Sequence, residues 1–292
     1  MVRFIIEVAK FAIVTTMLII GLVANAQKLD NSLLWKISGN GLEKPSYLYG
    51  TMHAVCETNI DDKVMKAFDE TNQLYLEVDM DDPNLQASMM GGLMMKDGVT
   101  ITSLITEEEA KKLDAFLQKN IGFSLKMINT FKPFSISSMY IPKLLDCPMK
   151  AVDTELMNIS VAQNEEVFGL ETIEDQMAVF DKIPYDVQIE ELLKSAETDL
   201  KKDKEEMKKM LTIYKSEDIE AMLAFTKESE NKLASDFEEE LLINRNQNWI
   251  PIISKVAKEK PTFFGVGVGH LAGDKGVIKL LRKKGFKVEA VK

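Results

Sequence analysis

Two histidines are all that 292 residues contain, and both close the same four-residue phrase: Gly50-Thr51-Met52-His53 and Gly267-Val268-Gly269-His270. Each phrase follows a short run of strand-forming residues, Tyr47-Leu48-Tyr49 and Thr262-Phe263-Phe264, so each imidazole is expected where a strand ends and the chain turns. A glycine three positions before each histidine lets the backbone turn tightly or leaves room for a ligand. The imidazole itself offers a metal ligand or a general acid/base near neutral pH. The pattern therefore asks for a fold that brings two turns, far apart in the chain, together as halves of one centre. The plain alternative is two ordinary hydrogen-bonded histidines.

The first 26 residues read as a secretory signal peptide rather than as part of the fold. Arg3 and Lys10 give a positive leader, Phe11 to Val23 is almost continuously apolar, and Ala24-Asn25-Ala26 makes a small-residue cleavage signal. The apolar run is short for a bilayer span, so no stable membrane span is expected after cleavage. Acidic residues outnumber basic ones by 46 to 36, which argues against nucleic acid as a partner, since that surface demands a basic footprint. Residues 27–292 are long enough to bury one substantial core, and no Pro/Gly/Ser-rich linker divides them, so a single domain is expected. Cys56 and Cys147 are the two cysteines of an exported chain, and a disulfide between them is the natural inference. It would stabilise by roughly 4 kcal/mol and tether the first histidine turn to the end of a helix. The rival arrangement is a tetrahedral zinc site of His53, Cys56, Cys147 and His270.

Leu33 to Ile37 and Ser46 to Gly50, joined through Ser38-Gly39-Asn40-Gly41, read as a hairpin. Helix is expected from Asp61 to Ala67. Gln73 to Asp79 alternates Leu74, Leu76 and Val78 against Tyr75, Glu77 and Asp79, the pattern of a strand whose carboxylates point away from the core. Thr106 and Glu109 form a capping box for a helix reaching Asn120, and further helices fit Ser124 to Thr130 and Ser135 to Leu145. Lys150 to Asp153 and Glu166 to Gly169 are strand candidates around a helix through Val161. Residues 183–258 read as a helical insertion and return helix, broken near Ser216 and Ser235. Strand, Gly-rich turn, helix (Val277 to Lys284) and strand (Phe286 to Val291) end the chain. The expected class is α/β with a mixed α+β core: a central sheet, surrounding helices and the helical insertion. Met89, Met90, Met94 and Met95 read as adaptable packing rather than as a soft-metal surface. Lys201 to Lys209 reads as a solvated helix face.

Two imidazoles alone make a poor metal site, because a divalent ion usually takes a carboxylate as well. Glu77 is the leading candidate, as ligand or as base, against the plain reading of an exposed edge residue; Asp79 is the alternative. In such a centre the metal would activate water while the carboxylate shuttles a proton. Arg245, in the polar patch Asn244 to Trp249, would bind a substrate carboxylate or an oxyanion, or else form a structural ion pair. Glu171 and Glu174 read as helix-start charges and Asp153 as a helix cap. Gly267-x-Gly269-x-x-x-Gly273 imitates a dinucleotide turn, but only one strand follows it. No His-Glu-x-x-His helix, Walker A loop or Gly-x-Ser-x-Gly elbow is present.

Taken in order, Tyr47 to His53, the strand Leu74 to Asp79, Gly169 to Thr172, Arg245-Asn246 and Gly267 to Gly276 resemble the TraB/GumN family, which includes the Tiki metalloproteases. The resemblance implies that His53 and His270 are metal residues, that Glu77 is the catalytic or ligating acid, and that Arg245 lines the same pocket. It also implies a divalent ion, manganese or cobalt favoured over zinc, and a peptide or protein substrate cleaved near its N-terminus. The implied architecture is shared with erythromycin-esterase-like and haem-binding ChaN-like proteins, so fold alone does not fix the reaction. The expectation is a periplasmic or secreted metal-dependent hydrolase. Its alternative is a non-catalytic protein that holds a peptide or haem.

Overall fold

Turn chemistry and strand pattern at the front of the chain produce a hairpin: β1 (Leu34–Ser38) and β2 (Ser46–Thr51) pair antiparallel with Trp35 opposite Leu48. Gly39, Asn40 and Gly41 all take positive φ between them, which the two glycines accept without steric cost. The computed structural model describes residues 28–58 and 60–292; the expected signal peptide lies outside the described residues. The chain divides after Asp30, and the unit from Asn31 to Lys292 holds the whole sheet.

Helix α1 (Asp62–Asp69) starts where the Asp61 carboxylate accepts from the amides of Lys63 and Val64, and it leads to β3 (Leu74–Leu76). Then come α2 (Leu85–Gly92), α3 (Glu107–Ile121), α4 (Leu125–Ile128) and α5 (Pro133–Tyr140). The Thr106–Glu109 capping box opens α3 and left-handed Gly122 closes it. Helix α6 (Val152–Ala162) begins inside the segment Lys150 to Asp153 that reads from sequence as a strand candidate. There the strand character shrinks to one bridge, Lys150 with Val55, because the Val152 amide is taken by the Met52 carbonyl and the chain coils at once.

Strand β4 (Val167–Gly169) is followed by α7 (Ile173–Phe180), α8 (Tyr185–Thr198), α9 (Lys201–Lys215), α10 (Ile219–Glu228), α11 (Lys232–Asp236) and α12 (Asn244–Glu259). The break expected near Ser216 is present. Ser235 instead lies within α11, and the chain leaves the helix earlier, at extended Ser229. A further break falls at Asp199 and Leu200, both left-handed; Leu200 is buried in the core that α3, α4 and α5 share with α8, and that apolar burial compensates an unfavourable φ. The packing role expected of the methionines holds for Met95, while Met89, Met90 and Met94 are exposed. The close contact of α2 with α7 is made at Gly92, where a Cβ would strike Met177.

Strand β5 (Phe263–Gly267), α13 (Val277–Lys283) and β6 (Lys287–Ala290) complete the fold. The sheet order is β4-β3-β5-β2-β1-β6. Strands β4, β3, β5 and β2 are mutually parallel, and β1 runs against both β2 and β6. Leu48, Leu74, Phe263, Phe264 and Val266 have no exposed surface, as expected of parallel strands covered on both faces. Strand β5 lies between β2 and β3, so the carboxyl ends of strands from both ends of the chain share one edge. Crevices at such an edge are where open α/β sheets bind ligands.

Candidate functional site

Four parallel strands each deliver one polar side chain just past their carboxyl ends: Thr51 leads to His53, Leu76 to Glu77, Gly169 to Glu171 and Gly267 to His270. Register sets the two histidine turns side by side, with Thr51 opposite Gly267. The paired glycines act here by being small. A Cβ on Gly50 would come within 2.8 Å of Leu271, the residue after the second histidine, and one on Gly267 within 3.1 Å of Glu77 Oε1. The φ of Gly267 is −49°, so its conformation is open to any residue and space alone selects glycine.

At the first turn the Nδ1 hydrogen of His53 is donated to Asp153 Oδ2 at 2.7 Å, and Thr51 Oγ1 donates to the other carboxylate oxygen at 2.7 Å. Asp153 is therefore an orienting partner, not the helix cap its position implies; the N-cap of α6 is Ala151. The turn is clamped from two sides. Val55 and Lys150 exchange backbone hydrogen bonds, and the Cys56–Cys147 disulfide closes next to them. Both sulfurs are thus spent, which removes the zinc arrangement that needed two thiolates. His53 remains open, with 68% of its side-chain surface exposed.

The second turn is buried, and only 5% of the His270 side chain is exposed. Asn246 turns its amide nitrogen toward the carbonyls of Lys275 and His270, which leaves Oδ1, 2.6 Å away, to accept from His270 Nδ1. Nε2 must then be the acceptor nitrogen, and Arg245 Nη1 donates to it at 3.2 Å. Arg245 Nη2 reaches Glu77 Oε2 and Glu171 Oε1, each at 2.5 Å, while Nε donates to Glu171 and Nη1 also to the Leu241 carbonyl. Its guanidinium lies 4.9 Å from the ring centroid of Trp249, whose Nε1 donates to Glu171 Oε2. Gly267 N–H donates to Glu77 Oε1 at 2.8 Å, and Gln176 donates to Oε2.

Glu77 is buried rather than on the wet face that alternation assigns it. Strand β3 stops at Leu76, and on the face that alternation gives to Tyr75 and Glu77, Tyr75 is stacked on Phe168 at 4.9 Å. Asp79 stays outside the cluster, against Asp81; burial and that second carboxyl raise it to about 6. Glu171, read from sequence as a helix-start charge, anchors Arg245 and Trp249. Asn246 and Trp249 had one sequence signal, the polar run Asn244 to Trp249 on an amphipathic helix. Glu171 had its place in the family-like segment Gly169 to Thr172, and Asp153 had none, because its partner lies far away in the chain.

Charge separates the two rings. Desolvation opposes a cation at His53, but the hydrogen bond and charge of Asp153, with Glu77 behind, outweigh it and raise the ring to about 9. Burial lowers His270 to about 3, against the pull of Glu77. Burial also opposes ionisation of Glu77, yet His270, Arg245, His53 and the Gly267 amide hold it at about 2. His270 carries its charge only in acid, so through the neutral range the cations that hold Glu77 ionised are Arg245 and His53.

Among the described residues, no three His, Cys, Asp or Glu side chains are gathered as a ready metal cluster. The donor chemistry nonetheless fits a divalent cation. Both imidazoles are oriented through Nδ1 by a carboxylate or an amide oxygen, which leaves Nε2 as the nitrogen that could ligate, and Glu77 supplies the hard oxygen.

A family model described as the TraB/PrgY/gumN family matches residues 33–290, a span that contains every strand of the sheet. Metalloprotease TIKI1 of Danio rerio is 22% identical over 89% of this chain and 63% of its own length. Metalloprotease TIKI2 of the same species is 21% identical over 90% and 62%, so the chain spans a little under two thirds of either. A Metalloprotease TIKI homolog of Nematostella vectensis is 22% identical over 91% of the chain and 68% of its own length. No solved structure matches the chain.

Proposed function

The chain belongs to the TraB/PrgY/gumN family, and on that premise we propose that it is a metal-dependent hydrolase, a peptidase that cleaves near peptide N-termini. The observation that supports this reading is the position of His53, Glu77 and His270 just past the ends of three adjacent parallel strands, with each ring oriented through Nδ1. The names of the Tiki relatives support it. His53, His270 and Glu77 would hold the ion, manganese or cobalt by family likeness, with zinc as the third choice. When bound, a divalent cation supplies Lewis acidity toward a carbonyl and toward water.

The chain's own groups divide the remaining work. Glu77, at about 2, stays ionised throughout the neutral range, so it suits ligation and charge better than proton abstraction, for which a base near 7 is favoured. Arg245 would turn its fork toward a substrate carboxylate or a developing oxyanion. His53, charged up to about pH 9, holds a proton at Nε2 that would have to leave before that atom could hold a cation. An exported, periplasmic or secreted location is supported by the Cys56–Cys147 disulfide. No helix among the described residues is long and apolar enough to cross a membrane.

The test is the full chain incubated with a peptide mixture and Mn²⁺ or Co²⁺, read by mass spectrometry. Shortened peptides should accumulate, and His53→Ala and Glu77→Ala should each slow this by at least about 100-fold. Undiminished cleavage in both variants overturns the assignment. Intact peptide in a saturable, metal-independent complex would move the reading to a non-catalytic peptide-binding protein, and a Soret band to a haem-binding one.

A further inference from the structure

His270 donates through Nδ1 to Asn246 Oδ1, which leaves one ring lone pair to offer, at Nε2, and Arg245 Nη1 already donates to it. Nη2 of the same guanidinium donates to Glu77 Oε2. A cation ligated by His270 Nε2 needs that same lone pair, and a guanidinium left within hydrogen-bond reach would face it with like charge. Arg245 does not depend on those two atoms. Nε and Nη2 hold Glu171 at 3.0 and 2.5 Å, Nη1 holds the Leu241 carbonyl at 3.0 Å, and the fork lies against Trp249. One side chain thus has two sets of partners, one made of the ligand atoms and one that does not include them.

We propose that Arg245 and a divalent cation compete for His270 Nε2 and Glu77 Oε2, so that loading the site leaves Arg245 held by Glu171, Leu241 and Trp249 alone. The inference rests on the metal-dependent reading of this site. It goes beyond that reading by making Arg245 the residue that sets metal affinity, and by linking cation binding to the position of the group assigned to substrate. Trp249 is placed to report the change: its ring lies 4.5 Å from that of His270 and carries the Arg245 fork on its surface. The only other tryptophan, Trp35, is buried in β1 under Arg282.

The probe is Zn²⁺ alone, which is diamagnetic and binds nitrogen and oxygen sites more tightly than Mn²⁺. Calorimetry on full-length protein stripped with chelator should give a Kd about tenfold or more lower for Arg245→Gln than for the unaltered chain. Tryptophan emission of the unaltered chain should change with the same midpoint as Zn²⁺ binding, and the change should vanish in Trp249→Phe. Equal Kd values, or tighter binding to Arg245→Gln with no Trp249 signal in the unaltered chain, overturn the competition and leave the metal reading standing. No saturable Zn²⁺ binding by either protein removes the metal reading and the competition with it. Should Arg245→Gln fail to fold by circular dichroism, the Trp249 signal decides: present on Zn²⁺ binding it supports the competition, and absent it overturns it.

Discussion

The two Gly-x-x-His turns share a phrase, a strand end and a sheet edge, yet their rings live under opposite conditions. His53 is open to solvent and paired with a carboxylate, so it carries charge into the alkaline range; His270 is enclosed and paired with an amide, so it stays neutral well into acid. The phrase sets where each ring stands. Partners imported from elsewhere, Asp153 from α6 and Asn246 from α12, set what each ring is. A motif match therefore establishes location, and protonation state has to be read from the second layer of residues.

The contrast can be broken most severely at Arg245, which serves the second turn alone. Arg245→Ala leaves Glu77 and Glu171 buried without their cation and should destabilise the fold by about 5 kcal/mol, measured by urea unfolding; a loss no larger than that of a surface substitution would mean the cluster is solvated. At the first turn the equivalent support is covalent. Replacing Cys56 and Cys147 together with serine should cost about 4 kcal/mol, and an unchanged melting temperature under reductant would show that the Val55–Lys150 bridge suffices.

A finer test uses pH. The folded value of His270, about 3, lies below the ordinary 6.5, so its contribution is complete above about pH 6.5 and is lost as pH falls toward 3. Between pH 7 and pH 5 that loss is about 2 kcal/mol, and His270→Gln should remove it from the stability profile. His53 has the opposite sign. Its folded value, about 9, lies above 6.5, so its contribution is complete below about pH 6.5 and is lost as pH rises through 9. With most of the ring exposed, the effect should stay below about 1 kcal/mol. NMR titration of the two imidazoles would refute the contrast by finding them titrating together.

The parts of this molecule that sequence reveals are those governed by neighbours in the chain. Left-handed Gly39 and Gly41 mark the hairpin, Thr106 and Glu109 mark a helix start, and two scarce histidines mark the site. What sequence conceals is decided across the fold. Alternation around Glu77 imitates a strand with a wet face because it cannot register β4 and β5 on either side of β3. Lys150 to Asp153 carries strand-like residues but meets a single partner bridge before coiling. Asp153 and Glu171, acids at or near helix starts, look like local electrostatics, while their hydrogen bonds reach His53 and Arg245 across 100 and 74 residues.

Strand β5 fills the slot between β2 and β3, and this fixes when the two histidine turns can first stand side by side. A ribosome releases the hairpin and β3 long before the strand that joins them, so the nascent protein carries two unzippered strand edges and only one of its imidazoles. A chain that stops short of Phe263 holds His53, Glu77 and Arg245 without His270. Assembly waits for Phe263–Gly267 and the histidine turn that follows it, which leaves the unfinished chain exposed to mispairing in the interval.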